Sequence, residues 1–175
     1  MKLRGPRQRY VAFLLVVLAA LGVAPRATAD VTDDERAAEV KLLKLINRGR
    51  EAKGLRLLKE HETIRAEAEG QSERMAKQQT LSHTGLDARA QRIANADGGI
   101  DPDQVCENAA SAEVHDIHKA MKKIFKASKA NQEHSDCMFD GGDYTTRSAG
   151  VGAIFSEGTW WVTFIAAHDE TPGGN

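Results

Sequence analysis

The side chains best suited to chemistry in this 175-residue chain are its six histidines, its acids and its two cysteines. Ser82-His83-Thr84 sets an imidazole in a short polar loop after a helix. Cys106-Glu107-Asn108-Ala109 sets a carboxylate next to a cysteine. A histidine and a glutamate on loops anchored by helices could bind a metal or activate water. Any domain holds such pairs, and the plainer expectation is a structural His–Glu hydrogen bond that ties two loops together. His61-Glu62 opens like H-E-x-x-H, but position 65 is Arg, so the zinc-protease helix pattern fails. The sequence contains neither a G-x-S-x-G elbow nor a phosphate-binding loop. His115 and His118 stand three apart on an expected helix, flanking its apolar face, and read as a solvent-facing or half-packed pair ahead of a metal pair. Asp97, Asp101 and Asp103 lack EF-hand spacing and read as a solvated turn.

The compartment decides what the cysteines do. Residues 1–29 have a basic start (Lys2 to Arg9), an apolar stretch (Tyr10 to Ala24) and an Ala27-Thr28-Ala29 cleavage site, which is the pattern of a secretory signal. The apolar run is too short to span a bilayer, and no later segment is long or apolar enough to do so. The chain is therefore expected to be secreted and to begin near Asp30. In an oxidising compartment an even count favours a Cys106–Cys137 disulfide over a metal pair or a reactive thiol. Lys2, Arg4, Arg7, Arg9 and Arg26 all lie in the leader, which has no acid. Taking those five from the 24 Lys and Arg leaves 19 bases against 25 acids, a net of −6. A body that acidic is a poor partner for nucleic acid or anionic lipid.

Thr32 with Glu35 fits a capping box, and Ala38, Leu42, Leu45, Ile46 and Gly49 follow at helical spacing, with Gly54 as the expected C-cap. Leu55 to Leu58 reads as a short connection. A second helix is expected over about 62–78, with Ile64, Ala68, Ser72 and Met75 inward. A short one is expected over 87–94. A long one is expected over about 113–130, with Val114, Ile117, Met121, Ile124, Phe125 and Ser128 inward. Gly150–Phe155 and Thr159–Ala166 read as a hairpin around Glu157-Gly158. Its second strand is apolar almost throughout, which predicts a sheet covered on both faces, with Trp160 and Trp161 buried on opposite sides. Helices first and a hairpin last argue an α+β domain over 30–168, with 169–175 as a flexible tail.

From Val40 to Ala166 the order of short motifs resembles the CAP superfamily (cysteine-rich secretory proteins, antigen 5, pathogenesis-related proteins) in its bacterial SCP-like form. Leu42-Leu43-Lys44-Leu45-Ile46-Asn47, Arg50 and Gly54-Leu55 fit the family's opening helix. Met75-Ala76, Leu81-Ser82-His83-Thr84, Arg92-Ile93 and Glu107-Asn108-Ala109-Ala110 fit its central motifs. Gly150-Val151-Gly152 and Trp160-Trp161-Val162-Thr163-Phe164 fit its last hairpin. The resemblance implies a three-layer α-β-α sandwich whose small antiparallel sheet is flanked by helices. It also implies a cleft lined by His and Glu that binds a divalent metal in some members. His83 and Glu107 match the first His and the Glu. At the second His the chain departs from the pattern: aligned on Ser128, that position is Asn131, the following Arg is Gln132, and His134 comes three residues late. Asn is a poor transition-metal ligand, so zinc at His83, Glu107 and His134 would be weak.

The expectation is a secreted, monomeric binding module that needs no cofactor and leans away from catalysis. It would take a small molecule, a lipid or a protein at a rim that includes Ser82, His83, Glu107, Asn108, Asn131 and His134. The alternatives are a metal-assisted, peptidase-like hydrolase using His83 and Glu107, and an interaction protein of the cell envelope.

Overall fold

The computed structural model describes residues 32–96, 100–139 and 146–169. The expected leader, Asp97 and the tail beyond Asp169 lie outside the described residues. Five helices and four strands run in the order α1 (Asp33–Glu51), β1 (Lys59–Glu60), α2 (Glu62–Gln78), α3 (Leu86–Ala96), β2 (Ile100–Ala112), α4 (Ile117–Ala130), α5 (Gln132–Phe139), β3 (Thr146–Ser156) and β4 (Thr159–Asp169). Thr32 caps α1 as expected: its hydroxyl accepts from the Glu35 N–H, and the Glu35 carboxylate accepts from the Thr32 N–H. The β3–β4 turn places Glu157 and Gly158 both at positive φ, the conformation that a two-residue hairpin loop requires.

The sheet order is β1-β3-β4-β2. β4 lies between β2 and β3, antiparallel to both, while two-residue β1 adds to β3 in parallel. The expected antiparallel sheet thus describes the three long strands, and β1 makes the whole mixed. Helices cover both faces. On one side α1, α4 and α5 bury Leu42, Ile46, Met121, Ile124 and Met138 against Val151, Trp160, Val162 and Phe164. On the other, α2 and α3 bury Ile64, Ala68 and Ile93 against Ile165, while Met75 meets Trp161. Trp160 and Trp161 therefore sit in opposite cores, as period two demands.

Three expectations need correction. The stretch around Val105–Asn108 is strand β2, not loop, so Glu107 projects from a sheet. The long helix begins at Ile117, not near 113, because Asp116 adopts extended geometry and its carboxylate accepts from the Lys119 N–H at 2.8 Å. His115 is thereby left outside the helix and His118 inside it. The segment from Gln132 onward forms α5, for which the sequence offered no clear period. The α1–α2 connection is also less free than it looked. Asn47 both donates to the Leu58 carbonyl at 3.0 Å and accepts from its N–H at 2.8 Å, while buried Arg50 donates to the carbonyls of Arg56 and Met138.

Candidate functional site

His83 is held by its loop, and the loop by α2. After α2, Gln79 adopts left-handed geometry and turns the chain, and Gly85 at φ 80° turns it again into α3. The buried Gln71 side chain donates to the Ser82 carbonyl and accepts two bonds from Arg74, at 2.9 and 2.6 Å. The Ser82 hydroxyl donates to the Thr84 hydroxyl at 2.8 Å and accepts from the Thr84 N–H at 3.0 Å. The imidazole is left 49% exposed.

Glu107 is supplied by β2 and buried on the α2–α3 side. His83 Nδ1 lies 2.9 Å from its Oε1. The expected His–Glu bond therefore exists, tying a loop to a strand. Both Glu107 oxygens also accept from Arg89 of α3: Nε to Oε2 at 2.9 Å, and Nη2 to Oε1 at 2.8 Å and to Oε2 at 2.6 Å. Arg89 is 1% exposed, and its Nη1 donates to the Thr84 carbonyl at 2.9 Å. With a guanidinium on the carboxylate, Glu107 is the acceptor and His83 Nδ1 the donor, so that in the neutral ring Nε2 is the acceptor nitrogen.

Arg89 was all but illegible in the sequence. Its only hint was an arginine one turn into a short helix, and such a residue is ordinarily solvent-facing. Gln71 was equally silent.

The opposite layer contributes at the same sheet edge. Cys106 and Cys137 form a disulfide that joins β2 to α5, and Asn108 donates to the His134 carbonyl at 2.9 Å. Asn131, exposed, caps α5: its side-chain oxygen accepts from the His134 N–H at 3.0 Å. Burial lowers the His134 pKa, and the neighbouring His83 lowers it further. The structure thus gathers His83, Glu107 and Arg89 directly, and His134 and Asn108 at their margin. Among the described residues no three His, Cys, Asp or Glu gather closely enough to hold a metal ion.

His115 and His118 are exposed at a different place, the start of α4, where His115 stacks edge-on against Phe155. Asp101 bends the start of β2, accepting from the Asp103 N–H at 2.9 Å.

No protein-family model and no curated protein matches the sequence. Solved structures do match. An outer surface protein from Borrelia burgdorferi is similar over 81% of this chain and 96% of its own, at 16% identity and a TM-score of 0.59. A cysteine-rich secretory protein from Staphylococcus aureus is similar over 79% of this chain, at 12% identity and a TM-score of 0.60. An extracellular SCP-domain protein from Bacillus anthracis is similar over 78%, at 19% identity and a TM-score of 0.55. The chain spans 41% and 44% of the length of these last two. With helices on both faces of a small sheet and a His–Glu contact at its edge, this chain has the fold of the CAP/SCP-domain proteins.

Proposed function

We propose that the protein is an extracellular CAP-type binding module. Its ligand is contacted at the rim around His83 and His134 by hydrogen bonding, with no bound metal. The observation that carries the reading is Arg89. Its guanidinium spans both oxygens of Glu107, the one buried acid of the rim among the described residues. A divalent cation there would have to displace or sit beside a fixed positive charge, at a coulombic cost that rises steeply as water is excluded. Asn131 is committed to the α5 cap and adds no ligand. The residues present therefore do not fit a family-type metal. What remains is the half-exposed His83 imidazole, a second imidazole whose pKa burial lowers, and the Ser82 and Thr84 hydroxyls. These are contacts for an uncharged polar group on a small molecule, lipid or protein. The disulfide and the extracellular character of the structural neighbours support the location.

The metal-assisted hydrolase is a second reading because His83 and His134 are close enough to influence each other. Calorimetric zinc titration of the purified secreted protein separates the two. The expected outcome is no heat that His83→Ala or His134→Ala abolishes. Micromolar binding lost in both variants would overturn the metal-free reading and make hydrolase assays the next step.

A further inference from the structure

At the far end of the sheet from His83 lies an open cavity of about 660 Å³, a size suited to a small ligand. Its walls come from the first turn of α1, the first turn of α4 and the β3–β4 hairpin. In strand register, Trp160 pairs with Ala112, five residues along β2 from Glu107 and on the opposite face. That places it roughly 17 Å along the sheet from the His83 rim.

Two features of the lining point to one ligand chemistry. The first is aromatic. His115, Phe155 and Trp160 form a continuous run of rings, with centroids 5.1 and 5.0 Å apart. Phe155 is more than a third exposed, although it is large and apolar. The buried Trp160 indole N–H has no hydrogen-bond partner among the described residues; being a donor, it would serve an acceptor on the ligand and not the cation itself. The second is charge. Asp34, Glu35 and Asp116 line the cavity together with His115 and His118, and among the described residues no Lys or Arg does. The N-termini of α1 and α4 oppose a cation with about half a positive charge each, so with His115 and His118 neutral the three carboxylates stay ahead by about two charges, less the pull of Lys119 on Asp116. Glu35 is buried with both oxygens engaged, by Thr32 and by the Phe155 N–H, and Asp116 accepts from the Lys119 N–H, but Asp34 is exposed and open to a ligand. Acids around aromatic faces favour an organic cation, which gains from the carboxylates and from the ring faces together.

We propose that this cavity is a second binding site, separate from the His83 rim, that takes the ammonium head of a small organic cation. The test is an amide NMR titration of the purified secreted protein with choline. The probe is run beside 3,3-dimethyl-1-butanol, which has the same shape without the charge. Asp34→Asn/Glu35→Gln/Asp116→Asn removes the charge while keeping residues able to cap, and Phe155→Leu removes the exposed ring. The expected result is saturable shifts centred on His115, Phe155 and the first turns of α1 and α4. Choline should bind at least about tenfold tighter than the alcohol and lose about tenfold or more in each variant. Three results would overturn the proposal: no saturation by about 100 mM choline, equal affinity for the uncharged alcohol, or shifts centred on His83.

Discussion

At the scale of single residues, the decisive group is a buried arginine. Arg89 and Glu107 are both withdrawn from water, so each relies on the other to offset its desolvation. Arg89→Met leaves an uncompensated carboxylate and is expected to cost about 3–5 kcal/mol by denaturant unfolding. Arg89→Met/Glu107→Leu removes both charges and is expected to recover most of that loss; if it is no better than the single variant, the pairing argument fails. A second group lies far from the rim. Glu39 of α1 is fully buried beside Glu69 of α2, within a network in which Arg36 bonds Glu39 and Glu60, and Arg65 bonds Glu69. Burial first, and the Glu69 charge after it, push the Glu39 pKa up from 4.5 to about 7, against the pull of Arg36. The folded state therefore holds a proton that the unfolded state releases between those values, so this group's contribution to stability falls as pH rises through that window. Glu39→Gln should flatten that part of the pH profile and stabilise the protein at pH ~8 relative to wild type, by roughly 1–3 kcal/mol. His134 pulls the other way, because its lowered pKa makes stability fall on acidification. Comparing the two proteins at each pH cancels that contribution. A constant gap across the range would remove the assignment to Glu39.

At the scale of elements, the fit of α2 on β3 depends on two glycines. A Cβ at Gly150 would lie 2.2 Å from the Arg65 backbone nitrogen, and one at Gly152 would lie 2.2 Å from that of Glu69. Main chain cannot rotate aside as a side chain can. Gly150→Ala is expected to cost about 3 kcal/mol or more. Gly49→Ala meets side chains alone, the Phe139 ring edge at 2.8 Å and Phe125 at 3.4 Å, and should cost clearly less. Thermal melts of the pair decide whether backbone contact is the cause. The close approach also lets Ser72 of α2 donate to the Gly152 carbonyl at 2.9 Å. The disulfide is the second device at this scale, fastening short α5 to the edge strand across a separation of 31 residues. Cys106→Ser/Cys137→Ser is expected to lose ~3 kcal/mol. Amide exchange should rise first in 132–139, the segment carrying His134. Uniform acceleration across the chain would mean that α5 is not locally dependent on the bond.

At the scale of the whole molecule, net charge sets which partners are excluded. From Asp30 onward the chain carries −6, and no helix among the described residues is long and apolar enough to cross a membrane. The protein produced from Asp30 onward is expected to pass through a heparin column at about 0.15 M salt, because phosphate- or sulfate-type polyanions gain no counterion release from it. Retention that vanishes at higher salt would reveal a basic face that the overall count conceals.

The sequence by itself determined the elements that carry their own periodicity or caps. These are α1 with its Thr32–Glu35 box, α2 with Ile64, Ala68, Ser72 and Met75, and the hairpin whose two tryptophans had to face opposite cores. It also pointed to Cys106–Cys137 and to the contact between His83 and Glu107. Only the tertiary structure decided that residues 100–112 are a strand. Ile100–Ala112 is rich in small and polar residues and has little intrinsic β preference, so its conformation comes from pairing with β4. The same holds for the rim's charge. Glu107 and Arg89 are 18 residues apart on a strand and a helix, and a local pattern cannot show that two such groups share a buried site. Their partnership, and with it the case against a metal, exists only once the sheet edge has brought α3 and β2 together.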